Sequence, residues 1–396
     1  MTPTQRLKGT VSIWSNSAYI APTGYGEQSK ILLERLKRDG ADVAMLSNYG
    51  LEGNISELET PFGKVPHYPR GLEPYSNDVG PMHHAHWKAQ NKKQPELLIG
   101  LYDSWIIKGK AWEKIPTAWW TPLDHMTMPP KVEAFLRQKH ITPIAMSPFG
   151  VEQMTAKGIE CEYVPHAIDT SIFKPTTKIR GVDVREYMGT KDNFVIGVVA
   201  ANKASGLVHR KSFSETLIAF SIFYRKHPDA RLYLHTDPLG SAGGWNLLNL
   251  IHALDLPKES VLFPPFVEYK YGIPQEDLAA LYTGMDVMLS PCMGGGFEVP
   301  IMEAQACGTR VIASSWTAPK DLVSEDGWLI EGQPTWDAGQ DAFWMTPMIP
   351  SMVAALEEAY AAGQNRSVTA VKFAKDFDAD VVWDRHWLPV LDKLLK

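Results

Sequence analysis

Short apolar runs, mostly β-branched or aromatic, alternate with amphipathic stretches from one end of the chain to the other. Compact runs of that kind read as strands, and apolar recurrence at three- and four-residue spacing reads as helix. In the first half the expected strands are VSIWSN, DVAMLS, ELLIGLYD, TAWWTPLD and PIAMS, with GEQSKILLERLKRDG as a strong helix after the first. The alternation restarts after about residue 190 with FVIGVVAAN, ARLYLHTD, SVLFPPF, DVMLSP, TRVIASS and GWLIE, separated by helical segments such as SFSETLIAFSIFYRKHP and QEDLAALYTGM. Strands alternating with helices predict parallel sheets with helical crossovers. The expected architecture is α/β, two doubly wound Rossmann-like domains facing across a cleft. The expected first domain is 1–175 and the second 194–378, joined by the polar, aperiodic linker 176–193. In 379–396, Val382, Trp387, Val390, Leu391, Leu394 and Leu395 recur at helical spacing around a break at Pro389. That helix either docks on its own domain or crosses back to the first.

Composition narrows the partners. A chain of 396 residues suits two domains with separate cores, and a formal net charge of -6 offers no global positive field to nucleic acid or an anionic membrane. Locally, HHAHWKAQNKKQP carries Lys88, Lys92 and Lys93 beside an aromatic, which is either a solvated loop or a contact to an acceptor, including a nucleic acid backbone. Its histidines His83, His84 and His86 lack a carboxylate or fourth ligand in view, so no metal site is expected. Cys161, Cys292 and Cys307 form no CxxC pair, which argues for a reducing compartment, by default the cytoplasm. There is no apolar run of about 18 residues and no signal-peptide core at the start, so no membrane insertion is expected.

Three loops carry candidate chemistry. In SNSAYIAPTGYGEQSK, Gly24 and Gly26 sit between a strand and a helix, where glycine permits either close approach to a ligand or a plain tight turn. In ANKASGLVHRKSFSETL, Arg210 and Lys211 precede a helix at the carboxyl end of a strand, so two cations and a helix terminus can converge on a diphosphate; a solvated basic pair is the alternative. In SPCMGGGFEVPIMEAQACGTRVIAS, three glycines precede a helix opened by Pro300, with Glu303 expected on its first turn. A carboxylate there can take a ribose diol or merely compensate the helix dipole. The glycine run also suggests backbone angles closed to other residues.

The order of TGYG, YVPHAIDTSIFKP, RK before a helix, and DLAALYTGMDVMLSPCMGGGFEVPIMEAQACGTRVIAS resembles the retaining nucleotide-sugar glycosyltransferases of the GT-B fold. These are the paired-glutamate, group 1 enzymes related to glycogen synthases and mannosyltransferases. APTGYGEQ and YPRGLEPYSNDV resemble, more narrowly, bacteriophage-encoded members. The resemblance implies that Glu303 binds the nucleotide ribose and that Gly295 stands where a first acid would touch the donor sugar. Glu298 occupies a position usually glycine, so either it supplies that carboxylate from a shifted place or the N–H groups of Gly296 and Phe297 suffice. Arg210 and Lys211 would neutralise the departing diphosphate, leaving no need for a metal or other cofactor. Asp124 or His125 would face the donor sugar, and uracil or guanine would sit against Phe266 and Val267. The implied reaction moves a sugar from a UDP- or GDP-linked donor to an acceptor hydroxyl with retention. Hydroxymethylated bases in phage DNA, virion proteins and bacterial glycans are candidate acceptors, in the host cytoplasm. The rivals are a binding module that has lost turnover, motivated by glycine at 295, and a nucleotide-sugar epimerase of the same architecture.

Overall fold

The computed structural model describes residues 6–91, 95–204 and 208–396, so Lys92 and Lys93 of the basic stretch lie outside the described residues. Internal contacts divide the chain into two units, 1–123 with 127–167 and 379–396, and 168–378 with 124–126.

The first unit is built on an eight-stranded sheet of β1 (Thr10–Ser17), β2 (Asp42–Tyr49), β3 (Ser56–Leu58), β4 (Val65–Tyr68), β5 (Glu96–Leu101), β6 (Thr117–Thr121), β7 (Ile141–Ala145) and β8 (Glu162–Tyr163). Their spatial order is β3-β4-β2-β1-β5-β6-β7-β8, and only the β3–β4 pair is antiparallel. Central strands covered on both faces bury nearly every residue, which is why VSIWS reads as a run rather than an alternation. Trp14, Trp119 and Trp120 fill the core, with Trp14 stacked on Trp112 at 4.0 Å. The helix Gly24–Arg38 begins where the Thr23 hydroxyl accepts the Gly26 N–H and ends in Arg35, Lys37 and Arg38, so both termini are chemically matched.

Residues 379–394 stay helical through Ala379–Val382, a π-helical turn at Trp383–Trp387, and Leu388–Leu394. Pro389 has no N–H and crowds the preceding turn; the widened turn accommodates it without ending the helix. Trp383 donates its indole N–H to Asp39 at 2.8 Å, Trp387 packs edge-on against Trp120, and Asp380 accepts from Arg35 and Arg38. These contacts hold the terminal segment in the first unit.

In the second unit β11 (Phe194–Val199), β12 (Ala230–His235), β13 (Val261–Leu262), β14 (Val287–Ser290), β15 (Arg310–Ser314) and β16 (Trp328–Ile330) form an all-parallel sheet in the order β13-β12-β11-β14-β15-β16. Phe213, Phe220 and Phe223 of the helix Phe213–Tyr224 pack into its core. The expected linker 176–193 is instead a folded part of this unit. It forms a hairpin, β9 (Lys178–Ile179) and β10 (Val182–Asp183), and a short helix Val184–Tyr187. Ile179 and Val184 are buried, and Arg185 pairs with the buried Asp286. The polarity that reads as a linker is used in specific ion pairs. A second hairpin, β17 (Gly332–Asp337) and β18 (Ala342–Pro347), follows the sheet. Among the described residues no helix is long and apolar enough to cross a membrane.

Candidate active site

Open parallel sheets bind ligands beyond the carboxyl ends of their strands, where the strand order reverses. In the second unit β11 has β12 on one side and β14 on the other, so the reversal lies between β11 and β14. The loop after β11 carries Arg210 and Lys211, and the loop after β14 carries the glycine run and Glu298. The two loops are tied together: the Met293 N–H donates to the Arg210 carbonyl at 2.8 Å, and the Arg210 guanidinium donates to the Gly294 carbonyl. Lys211 Nζ donates to both Glu298 oxygens at 2.6 and 2.5 Å, and Arg210 Nη1 lies 3.7 Å from the same carboxylate. Each loop runs into a helix N-terminus, Phe213–Tyr224 behind Ser212 and Val299–Ala306 behind Glu298. Two cations and two helix termini near one strand end are the kind of arrangement that can hold an anion, and here they hold the Glu298 carboxylate. The Ser212 hydroxyl is buried there without a hydrogen-bond partner.

The glycine run is not held by special backbone angles, contrary to expectation, since neither Gly294 nor Gly295 has a left-handed φ. Space is the reason. A Cβ at Gly294 would lie 1.8 Å from the Asp124 carbonyl oxygen, and one at Gly295 would lie 2.7 Å from Glu298 Oε1 and 2.8 Å from its Cγ. Glu298 itself carries the glycine-type backbone, with φ 136°. Thus the Glu298 side chain fills the volume that a side chain at 295 would enter, from a backbone position suited to glycine. The Gly295 N–H is taken by the Thr317 hydroxyl at 3.2 Å, while Phe297 is buried 5.9 Å from Phe377.

Glu303 is the fifth residue of its helix, so it stands on the second turn rather than the first, and dipole compensation does not explain it. Its residue is 8% exposed and its Oε2 accepts from the Tyr282 hydroxyl at 2.7 Å. Burial, reinforced by Glu303, holds the Tyr282 hydroxyl well above its ordinary pKa, so it remains a donor. Burial, with the Glu298 charge behind it, pushes the Cys292 thiol up to about 12, which removes it as a nucleophile.

His125 is buried with a carboxylate at each ring nitrogen: Nδ1 lies 2.8 Å from Asp124 and Nε2 3.2 Å from Asp337. With a carboxylate at each ring nitrogen, the protonated ring has an acceptor for both of its N–H groups. Burial opposes that charge, but the two carboxylates outweigh it and raise the His125 pKa. For Asp124 burial acts upward, and His125 and then Arg210 outweigh it, so its pKa falls. The ring also stacks on Trp344 at 4.9 Å, and the Met126 N–H donates to the Phe343 carbonyl, so residues 124–126 dock onto β17–β18. Asp337, Trp344 and Thr317 were not among the residues expected from sequence. The alternation in PTWDAGQDAFWMTP around a DAGQ turn is a readable hairpin signal, but nothing in it points to His125.

The remaining expected residues lie on other elements. Phe266 and Val267 are exposed on a short helix after β13, an outer strand. Gly24 and Gly26 lie in the first unit at the start of the helix Gly24–Arg38. A Cβ at Gly26 would lie 2.1 Å from the Ala21 carbonyl oxygen, a tight-turn requirement, whereas the space around Gly24 is open. His83, His84 and His86 lie on a helix, Gly80–Gln90, and turn to three separate partners, the Pro69 carbonyl, the Ser12 hydroxyl and the Tyr68 hydroxyl. No group of three or more His, Cys, Asp or Glu among the described residues is arranged to hold a metal.

Comparison with known proteins bears on this cluster. Residues 204–340 match the sequence model described as glycosyl transferases group 1. The D-inositol 3-phosphate glycosyltransferase of Paenarthrobacter aurescens is 25% identical over 175 residues, 43% of this chain and 39% of that protein. The matches reach no more than about two fifths of the length of the curated relatives. Over the whole chain, a glycosyltransferase from Rickettsia africae superposes with a TM-score of 0.69 at 13% identity, covering 98% of this chain and 99% of that one. Sucrose-phosphate synthase from Thermosynechococcus elongatus superposes at 0.67 and 16% identity, covering 97% of each. The fold is therefore GT-B, and the segment that carries the basic pair and the glycine loop matches the model of the glycosyl transferases group 1.

Proposed function

We propose that this chain is a retaining glycosyltransferase that moves a sugar from a UDP- or GDP-linked donor to an acceptor hydroxyl. The observation that carries the reading is the set of Arg210, Lys211 and Glu298 at the β11/β14 reversal, between two helix N-termini. The cations and N–H groups suit a diphosphate, and Glu303, on the next turn of the helix, suits the ribose diol. In the proposed reaction the bond from the anomeric carbon to the phosphate oxygen breaks while a bond to the acceptor oxygen forms on the same face. The acceptor proton passes to the departing phosphate. Charge that grows on the diphosphate is met by Lys211 and Arg210, so the step needs neither a metal nor a protein base.

In the resting site Glu298 occupies Lys211, and a donor diphosphate takes that cation over. Released, the carboxylate lies beside the loop where the sugar would sit. The inactive-module reading rests on the missing acid at 295; what speaks for turnover instead is the Glu298 carboxylate, which lies in that volume. Incubation with a panel of UDP- and GDP-sugars tests the reading. Free sugar plus nucleotide diphosphate is the expected product, a new nucleotide sugar identifies an epimerase, and an unchanged panel refutes turnover.

A further inference from the structure

Glu303 is held from a neighbouring helix. Tyr282 stands near the end of the helix Gln275–Gly284, whose residues from Ala279 onward are all buried, and its hydroxyl reaches Glu303 Oε2 at 2.7 Å. The tyrosine itself is pinned from two further sides. Its ring meets Phe173 edge-on at 6.3 Å, and its backbone carbonyl accepts the Thr309 hydroxyl at 2.7 Å. Thr309 is fixed in turn, since its Oγ1 accepts from Arg366 Nη1 at 2.9 Å. Thr309 follows the helix Val299–Ala306 that carries Glu303, so Tyr282 is bonded to that helix through its hydroxyl and to the loop behind it through its carbonyl. The position of the phenolic oxygen is therefore set by packing and by backbone, not by the carboxylate it touches.

That order matters for recognition. A glutamate side chain has many rotamers, and a ligand that must order it binds more weakly for doing so. A donor already bonded to one carboxylate oxygen meets that cost before the ligand arrives. The chemistry of the donor suits the purpose too. A lysine or arginine would orient the carboxylate but cancel its charge, whereas the Tyr282 hydroxyl, which burial keeps neutral, orients it and leaves the charge for the hydroxyls of a ligand.

We propose that Tyr282 is a positioning residue for the donor: it fixes Glu303 in the orientation that accepts both hydroxyls of a vicinal diol, and the pair makes the site select ribonucleotide over 2′-deoxyribonucleotide donors. The inference rests on the reading of Glu303 as the ribose contact. A pair that served only to join the two helices would give affinities independent of the ligand's hydroxyls, and that difference is measurable.

Calorimetry on the full chain with UDP, GDP and the 2′-deoxy form of each separates the two roles. Wild type should bind the preferred ribonucleotide about tenfold or more tightly than its deoxy form, the size of one charged hydrogen bond. In Tyr282→Phe that ratio should fall about threefold or more through weaker binding of the ribonucleotide, with affinity for the deoxynucleotide kept within about twofold of wild type. In donor hydrolysis KM should rise more than turnover falls. Glu303→Gln should lose the ratio as well, and adding Tyr282→Phe to it should cost nothing more, because Tyr282 acts through Glu303. Tyr282→Met, which also lacks the hydroxyl, is read in the same way if the phenylalanine variant does not fold. An unchanged ratio in the Tyr282 variants, or equal weakening of both nucleotides, overturns the inference and leaves Tyr282 as a packing residue. A wild-type ratio near one refutes the ribose contact of Glu303 itself, and the absence of binding by either nucleotide refutes the nucleotide-sugar donor; the inference falls with both.

Discussion

Exchanging the residues at 295 and 298 perturbs a loop in which one carboxylate fills the volume that a side chain at 295 would enter. Glu298 sits at φ 136°, a conformation that costs a non-glycine residue about 1–3 kcal/mol. Gly295→Glu alone places a Cβ 2.7 Å from Glu298 Oε1, so Glu298 must leave the Lys211 ammonium it holds at 2.5 Å. The loss of that charged hydrogen bond, between groups 18% and 10% exposed, is worth about 1.5–3 kcal/mol, before any repulsion between the two carboxylates. Glu298→Gly alone relieves strain but removes the acid. The double change relieves strain and keeps one carboxylate in the same volume. A double-mutant cycle by urea unfolding should therefore give a favourable coupling of about 2 kcal/mol, with donor hydrolysis higher in the double variant than in either single. The milder Glu298→Gln should cut sugar transfer about 10–100-fold while affinity for bare UDP or GDP holds or rises, because the anion competing for Lys211 is gone. Additive stabilities across the cycle, or parallel loss of nucleotide binding in Glu298→Gln, would refute the exchange and leave Glu298 as a structural loop residue.

Three further outcomes follow from the site. Glu303→Ala should weaken nucleotide binding by about 1–3 kcal/mol by calorimetry, with unchanged affinity retiring the ribose contact. Lys211→Ala should lower turnover by roughly 10²–10³-fold, and a rise in KM with turnover intact would show that Lys211 grips the ground state instead. For His125, the folded pKa is raised, so the stability its charge contributes is complete below the ordinary value near 6.5 and is lost as pH rises through the folded value. Asp337→Asn should move that alkaline loss to lower pH, read from thermal unfolding across pH and from the imidazole NMR titration; an unmoved titration removes Asp337 as the partner.

The central strands of the two sheets were legible because buried parallel strands announce themselves as dense apolar runs, as in VSIWS and DVMLS. β3, β4 and β8 have two to four residues each and carry too little pattern to separate from loop. The segment 176–193 misled for a different reason: Arg185 and Asp286 are far apart in sequence, and composition does not reveal that a charge is paired. At the site, chain order placed Arg210, Lys211 and Glu298 in loops after strands and Glu303 in the helix that follows, which is what makes them readable. Sequence could not show that Glu298 and Gly295 compete for one volume, because that depends on the path of the loop. Nor could it bring Asp337 to His125, 212 positions away.

The central claim is that the β11/β14 edge binds a nucleotide-sugar diphosphate and stabilises its departure. Donor hydrolysis by the wild-type protein, Lys211→Ala and Glu303→Ala, with UDP and GDP affinity measured on the same samples, tests it most directly. Cleavage of a UDP- or GDP-sugar by wild type is expected, with loss of rate but affinity largely kept in Lys211→Ala and loss of affinity in Glu303→Ala. Wild-type rate and affinity in both variants, or no cleavage of any donor, would contradict it.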